Sequence, residues 1–391
     1  MPAEPAESIL THTAPFDPGG DFDAFVKSVP ARWVVYLMAD EDARPVQLLC
    51  VKNLRASLKR RLGGGEMVGP TRRVDYRQIV RRIHWRRVDS AFEADVVYLE
   101  AARKYFPTTY AGMVGFRPAW FVHVNPDSQF PRWTKTIDLS ISTGELFGPL
   151  EDKHSAGSLI EELVDWFDLC RYYNVLTESP YGKACAYKEM GKCPAPCDGS
   201  ISMDHYRHLT AMSASALIDP QSLVREHTDR MRSASSALNF ESAAKIKAFV
   251  DSLSRLGKGP LRHVRRLRDF RHISVQRGPW SGTAKVFLIT PGRIDEICGI
   301  LSEPKPATEI VQAAHHAAAA RADGARLDEI GAERVGVVAN HLFGAKSTHG
   351  VFIHLDECDD KAIAKAWREL QKQPDASATE GEGVVKELQA L

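Results

Sequence analysis

The sequence predicts an α+β fold: a small mixed sheet with helices, a cysteine-bearing module, a helical hairpin and a C-terminal α/β part. Three observations carry this. Short apolar runs rich in β-formers open the chain. Amphipathic helices follow them. From Ser202 to Leu256 the pattern is helical without a break, and strand-like runs return only after "GKGP".

The first residues, "MPAEPAESILTHTAPFDPGG", are acidic and rich in Pro and Gly, so residues 1–21 are expected to be a disordered leader. "RWVVYLMAD" and "VQLLCV" read as buried strands joined by the turn "EDARP". In "KNLRASLKRRL", Leu54, Leu58 and Leu62 form one apolar stripe on a basic helix, stopped by glycines. "YRQIVRRI" reads as a helix, "HWRRVDS" as a strand, and "AFEADVVYLEAARKYFP" as a helix ended by Pro107. "AWFVHVN" and "KTIDLSIST" read as strands, and "GELFGPL" closes the segment. "SAGSLIEELVDWFDLC" is a helix that Ser155 or Ser158 could cap. Two antiparallel helices follow, "QSLVREHTDRMRSASSAL" and "NFESAAKIKAFVDSLSRL", turning near Asn239. Beyond them come strands in "HISVQRG", "AKVFLITPGRIDEICGIL" and "GVFIHLD", helices in "AAHHAAAARADGARLDEI" and "ERVGVVANHLF", and a polar tail expected to be disordered. "LDECDD" reads as a strand end followed by a helix start, not as a metal box.

The chain has 391 residues, 44% of them apolar, which is ample for packed cores. No apolar run approaches the roughly 18 residues that span a membrane, and the N-terminus lacks a signal-peptide pattern, so a cytoplasmic protein is expected. The net charge of +1 hides an uneven distribution. From Lys52 to Arg87 there are twelve Lys and Arg against Glu66 and Asp75, and "LRHVRRLRDFRHISVQR" holds six Arg and one Asp. Such runs are either solvated faces or phosphate contacts. Two of them favour a nucleic-acid partner, with Lys52, Arg55, Lys59, Arg60 and Arg81 as candidate DNA-binding residues.

Four of the seven cysteines gather in one stretch: Cys170, Cys185, Cys193 and Cys197. In a reducing compartment such a group points to a metal rather than to disulfides. Four thiolates suit a tetrahedral zinc or an iron–sulfur cluster, and the spacing alone does not choose between them. Cys50, Cys298 and Cys358 lie in apolar runs and read as core residues.

The stretches "FGPL", "WFDLC", "GKAC" and above all "GKCPAPCDGSISMDHY" resemble the UvrC family of nucleotide excision repair. The resemblance implies that the four cysteines hold a 4Fe–4S cluster, with zinc as the alternative. "LNFESAAKIKAFVDSL" resembles the family's UVR motif, the hairpin that docks on UvrB. Phe240, Glu241, Ala243 and Ala244 match that motif, whereas Lys247 and Ala248 replace its Arg-Asp pair. "VKSVPARWVVYLM", "VKNLRASL" and "FEADVVYLEAARKYFP" resemble the family's GIY-YIG nuclease domain. Six segments are implied: a leader (1–21), a degenerate GIY-YIG-like domain (22–150), a cysteine module (151–205), a hairpin (206–257), a C-terminal region (258–375) and a tail (376–391).

A GIY-YIG nuclease uses a tyrosine, basic side chains and a metal-holding glutamate, which stabilise the charge of the phosphate transition state. Of these positions only the first tyrosine matches, as Tyr36. Gln47 stands for the second tyrosine, Cys50 for a lysine, Ser57 for the helix arginine and Tyr98 for the glutamate. Arg55 and Glu100 lie two residues out of register, and on a helix that offset turns Glu100 about 200° away. The resemblance therefore implies a DNA-binding protein with a UvrB-like partner, and the replaced residues imply loss of cutting and no catalytic divalent metal. Two rivals stand beside it: an active incision endonuclease with a rearranged site, and an iron–sulfur redox or interaction protein without a repair role.

Overall fold

The computed structural model describes residues 9–63, 75–302, 307–320, 326–344, 350–372 and 384–386. The chain begins with β1 (His12–Pro15), α1 (Phe22–Ser28), β2 (Val34–Ala39), β3 (Pro45–Val51), α2 (Leu54–Leu62), α3 (Tyr76–Ile79), β4 (Arg82–Arg87), α4 (Ala91–Tyr105) and α5 (Tyr110–Met113). The strands pair antiparallel in the order β1-β4-β2-β3. Residues of β2 alternate between two cores, as a strand buried on both faces must. Val34, Tyr36 and Met38 face Leu54, Leu58 and Leu62 of α2. Val35 and Leu37 face Ala94, Val97, Tyr98 and Ala101 of α4. Asn53 caps α2 through the Ala56 amide, and Ser90 caps α4 through the Glu93 amide.

Two expectations are corrected in this part. The leader is ordered from residue 9: β1 pairs with β4 from His12 opposite Trp85 to Pro15 opposite Arg82, and Leu10 and Phe16 are buried. A proline is tolerated there because β1 is an edge strand. The helix expected over "YRQIVRRI" ends at Ile79; Val80 is extended, and β4 begins two residues later. Ile83 and Trp85 alternate inward, so the period-two burial of this run prevails over its helical spacing.

The next unit contains β5 (Trp120–Val124), β6 (Thr134–Thr136), β7 (Glu145–Leu150), α6 (Lys153–Trp166), α7 (Tyr173–Leu176), α8 (Ala186–Glu189), α9 (Met203–Ile218), α10 (Pro220–Ser236) and α11 (Phe240–Leu253). The stretch expected as the first domain, 22–150, thus holds two sheets, and the second shares a core with α6 and α9 through Val122, Phe147, Leu159, Leu163 and Tyr206. Asp152, rather than Ser155 or Ser158, caps α6: its Oδ1 accepts from the Ser155 amide at 2.7 Å. Only Lys135 and Thr136 of "KTIDLSIST" pair as a strand, because Asp138 turns the chain by accepting from Ser140.

The last part contains β8 (Arg265–Arg266), β9 (His272–Arg277), β10 (Ala284–Thr290), β11 (Arg293–Leu301), α12 (Ala307–Ala320), α13 (Glu329–Phe343), β12 (Gly350–His354), α14 (Asp360–Gln371) and β13 (Val384–Lys386). β8 joins the second sheet beside β7. A third sheet runs β11-β10-β9-β12, all antiparallel. α12 and α14 cover one of its faces. Its other face meets α13, β5 and the outer side of α4 in one core that holds Phe92, Leu99, Phe121, Phe287 and Val338. In "LDECDD" the helix start is as expected, with Asp359 capping α14, but β12 stops at His354 and Leu355–Glu357 form a 3-10 turn rather than the end of the strand. Residues 376–383 and 387–391 of the expected tail lie outside the described residues, while β13 extends the first sheet by pairing with β3.

Candidate metal centre and surrounding surfaces

The cysteine module is a set of loops stapled by hydrogen bonds. Cys170 follows α6 after Asp168, whose φ of 49° turns the chain, and its amide donates to the buried Tyr206 hydroxyl on α9 at 3.0 Å. Cys193 and Cys197 flank Pro-Ala-Pro, with Ala195 at φ 55° and Gly199 at φ 78°. The Gly182 amide donates to the Cys197 carbonyl at 2.8 Å, and Ser179 Oγ to the Pro196 carbonyl at 2.6 Å. A side chain at 182 would meet Glu178 Cβ at 2.7 Å, so glycine is required there. Lys188 Nζ contacts Asp198 at 2.6 Å and Ser200 at 2.7 Å, tying α8 to the cysteine turn. The Lys188 ammonium, with the Ser200 donors, holds the Asp198 carboxyl down at about 2.

All four cysteines are free, Cys193 and Cys197 buried and Cys170 and Cys185 half-buried. Cys170, Cys193 and Cys197 lie near enough to perturb one another. The Cys170 thiol donates to the Tyr172 carbonyl at 3.4 Å; the Cys193 sulfur beside it raises Cys170, and the same pairing, helped by the Ala195 amide, lowers Cys193. Burial, with Asp198 and Cys193 nearby, raises Cys197. Cys185 heads α8 and its sulfur makes no hydrogen bond to the other three. Among the described residues no group of three or more Cys, His, Asp or Glu is arranged at metal-holding positions. The donor set itself, four thiols with a backbone N–H aimed at Cys193, has the chemistry of a thiolate-bound centre. Tyr206 is the member sequence reasoning missed; it stands inside the quoted cysteine stretch, but nothing in its spacing signals a bond to Cys170.

The candidate nuclease residues fall on two faces of the first sheet. Tyr36 is fully buried beneath α2, and its hydroxyl shares a 2.8 Å hydrogen bond with Ser57 Oγ. Burial raises its pKa, against the Ser57 bond and the Arg61 and Arg60 charges. Gln47 lies on the same face and accepts from Arg61 Nη1 at 3.0 Å. Cys50 and Tyr98 lie on the opposite face, under α4. Trp33 Nε1 donates to Cys50 Sγ at 3.3 Å, and burial, with Cys50 adding, pushes the Tyr98 phenol up to about 12. Tyr36, Gln47 and Ser57 are therefore brought together, and Cys50 and Tyr98 are separated from them by the sheet.

The basic run also divides. Lys59 and Arg60 are exposed and Lys52 is half-exposed on the α2 side. Arg55 instead donates to the carbonyls of Val29 at 2.6 Å and Lys27 at 2.8 Å, and Arg81 donates to those of Gln78 and Val80. In the second run Arg266 and Arg268 pair with Asp269 and Glu145. The hairpin of α10 and α11 meets the core at its base, through Leu223, Val224, Phe249 and Leu253, and leaves its tip exposed. No residue of α10 is buried, and Leu253 alone is buried on α11. At its tip Leu238 and Phe240 are 73% and 64% exposed. Glu241 pairs with Lys245 at 2.9 Å, Ala243 is half-buried and Ala244 is exposed. His227 and Phe249, 4.7 Å apart, close the hairpin toward Phe167 of the core.

Comparison with known proteins finds relatives for part of this chain. Residues 119–216, which run from β5 through most of α9 and include all four cysteines, match the UvrC/Cho excinuclease middle domain. UvrABC system protein C of Syntrophomonas wolfei subsp. wolfei is 24% identical over 282 residues, 69% of this chain and 44% of the relative. UvrABC system protein C of Trichlorobacter lovleyi is 24% identical over 230 residues, 58% of this chain and 37% of the relative. The chain thus spans less than half the length of these relatives. No solved structure matches. No helix among the described residues is long and apolar enough to cross a membrane.

Proposed function

From the relationship of this chain to the UvrC family, carried by its middle domain, we propose a UvrC-like DNA-binding protein of nucleotide excision repair whose first sheet no longer cuts DNA. The observation that carries the loss of cutting is Tyr36. It is sealed in the core and bonded to Ser57, where the resemblance calls for an arginine. Stabilising a near-dianionic phosphate needs cations and a metal-holding carboxylate. A serine, a buried thiol and a phenol pushed to about 12 supply neither, and Cys50 and Tyr98 face away from Tyr36.

Cys170, Cys185, Cys193 and Cys197 are read as the ligands of a 4Fe–4S cluster, with zinc as the alternative. Such a cluster supplies one-electron redox capacity and a cross-link between its ligand loops. The protein's own part is to hold the sulfurs: Tyr206 fixes the Cys170 backbone, and the Gly182 and Ser179 bonds fix the turn of Cys197. The exposed tip of the hairpin, with Phe240 and the small Ala243 and Ala244 behind it, supports docking on a UvrB-like partner. Of the five candidate DNA-binding residues, Lys52, Lys59 and Arg60 are left to meet DNA phosphates, Arg55 and Arg81 being bonded to backbone carbonyls.

The test is anaerobic purification with an absorption spectrum and iron count, followed by a nicking assay on damaged plasmid with a UvrB-type partner. The expected sample is brown, carries about four irons, loses them together in Cys193→Ser, and does not nick. A colourless protein with one zinc overturns the cluster. Nicking that Tyr36→Phe abolishes overturns the dead site.

A further inference from the structure

We propose that the tyrosine-bearing face of the cysteine module is a stacking surface for unpaired nucleotides. The inference rests on the reading of the chain as a DNA-binding protein, and adds where DNA is held and in which form.

Four of the ten tyrosines lie within sixteen residues: Tyr172, Tyr173, Tyr181 and Tyr187. Tyr181 is 94% exposed, Tyr172 47% and Tyr173 40%. None of the four hydroxyls has a hydrogen-bond partner among the described residues, so polar bonding does not account for their position. Tyrosine this exposed has its apolar body in water, an arrangement that favours a flat partner. The rings are paired with guanidinium groups. Arg132 lies 3.8 Å from the Tyr173 ring centre and Arg171 lies 4.9 Å from that of Tyr187, which is itself 5.9 Å from Tyr172. Aromatic rings beside cations are the elements that bind single strands: bases stack on the rings, and the backbone follows the charges.

Charge selects the form of the ligand. Arg132 and Lys183 are exposed and have no carboxylate partner within ion-pair distance among the described residues. Arg171 pairs with Asp165, and Lys188 with Asp198. Glu178 and Glu189 lie on the same module. Arg132 and Lys183 are left to follow a phosphate backbone, but a duplex, whose bases are already stacked on one another, cannot use the rings beside them. Its free resource is ring surface, which only unpaired bases can use.

The experiment uses the full chain as purified, with a single-stranded oligonucleotide carrying 2-aminopurine and a duplex of the same sequence. Wild type is expected to quench 2-aminopurine in the single strand. Tyr172→Leu, Tyr173→Leu and Tyr181→Leu should each weaken single-strand binding about fivefold or more, from the known strength of base–aromatic stacking. Tyr173→Phe, which keeps the ring, should retain both the quench and the affinity, and duplex affinity should not change in any variant. Because the rings are exposed, circular dichroism melts should match wild type. Unchanged single-strand affinity in the leucine variants overturns the proposal, and assigns the face to a protein partner if a UvrB-type protein then binds it. An equal loss of duplex binding also overturns it. If neither DNA binds wild type, the reading of the chain as a DNA-binding protein fails, and this inference fails with it.

Discussion

Glu100 of α4 accepts a hydrogen bond from Arg334 of α13, Oε1 to Nη2, at 3.1 Å. This is the carboxylate nearest in sequence to the position where a nuclease of this kind would hold its metal. An arginine from the other end of the chain engages it, about two-thirds buried on both sides. Glu100→Ala is therefore expected to change stability by about 1 kcal/mol or less, as a partly exposed pair does, and to leave nicking at background. Urea melts and a magnesium or manganese nicking assay check both halves. Nicking in wild type that Glu100→Ala removes would show that the glutamate still serves a metal.

The neighbouring ionic contact is buried and should behave differently. Lys285 Nζ lies 2.8 Å from Asp89 and 2.7 Å from Glu93, all three with little exposure. Burial raises the Glu93 pKa against the Lys285 charge, and for Lys285 the two carboxylates outweigh a burial effect that alone would lower it. Lys285→Met should cost about 3–5 kcal/mol, because two carboxylates lose their cation. Adding Glu93→Gln to Lys285→Met should recover part of that loss in denaturant melts. A cost below about 1 kcal/mol would mean that water reaches the cluster.

Acid should weaken the third sheet through His272. Burial first, then the His354, His263 and Arg265 charges, hold its pKa down at about 3. Its ring packs edge-on against Phe270 and His354, and Nδ1 has no partner. The folded protein keeps the ring neutral while the unfolded chain takes up a proton below pH about 6.5. Stability is therefore full above about 6.5 and falls as pH drops from there toward 3. At pH 5 the loss from this group should be about 2 kcal/mol. Melts of His272→Leu between pH 7.5 and 4.5 should show a flatter dependence; an equally steep one assigns the effect elsewhere.

DNA affinity should depend steeply on salt, but through only part of the basic run. Lys59→Ala with Arg60→Ala should lower the slope of log K against log salt by about 1–2, since each phosphate contact releases condensed counterions. Arg55→Ala should leave the slope nearly unchanged and instead cost about 1–3 kcal/mol of stability, because the Val29 and Lys27 carbonyls lose a charged donor. Filter binding across a salt series, with melts of the same variants, separates the two roles.

Much of this fold was legible in the sequence where periodicity and burial agree. β2, β3, α2 and α4 follow their apolar patterns, and the hairpin turns at Asn239, which caps α11. β1 was hidden because four mostly exposed residues carry no pattern of their own and exist by pairing with β4. The cysteines were legible as a group, but the convergence of three of them depends on Tyr206 and on backbone bonds that spacing does not encode. The two-face division of Tyr36 and Cys50 follows from strand alternation once the register is known. The motif resemblance sets their chain positions and not the depth of the sheet between them.

The outer side of α4 has a consequence in time. The helix is complete at Tyr105, yet Phe92 and Leu99 are covered by Phe287 of β10 and by Val335 and Val338 of α13, which ends at Phe343. On the ribosome, at about 5–20 residues per second, that apolar side waits on the order of 10 to 50 seconds for its cover to emerge. During that interval the nascent chain displays a sticky surface of the kind that chaperones bind, and a stall before β10 would leave it on display. The last part of the polypeptide thus acts as a seal on the first.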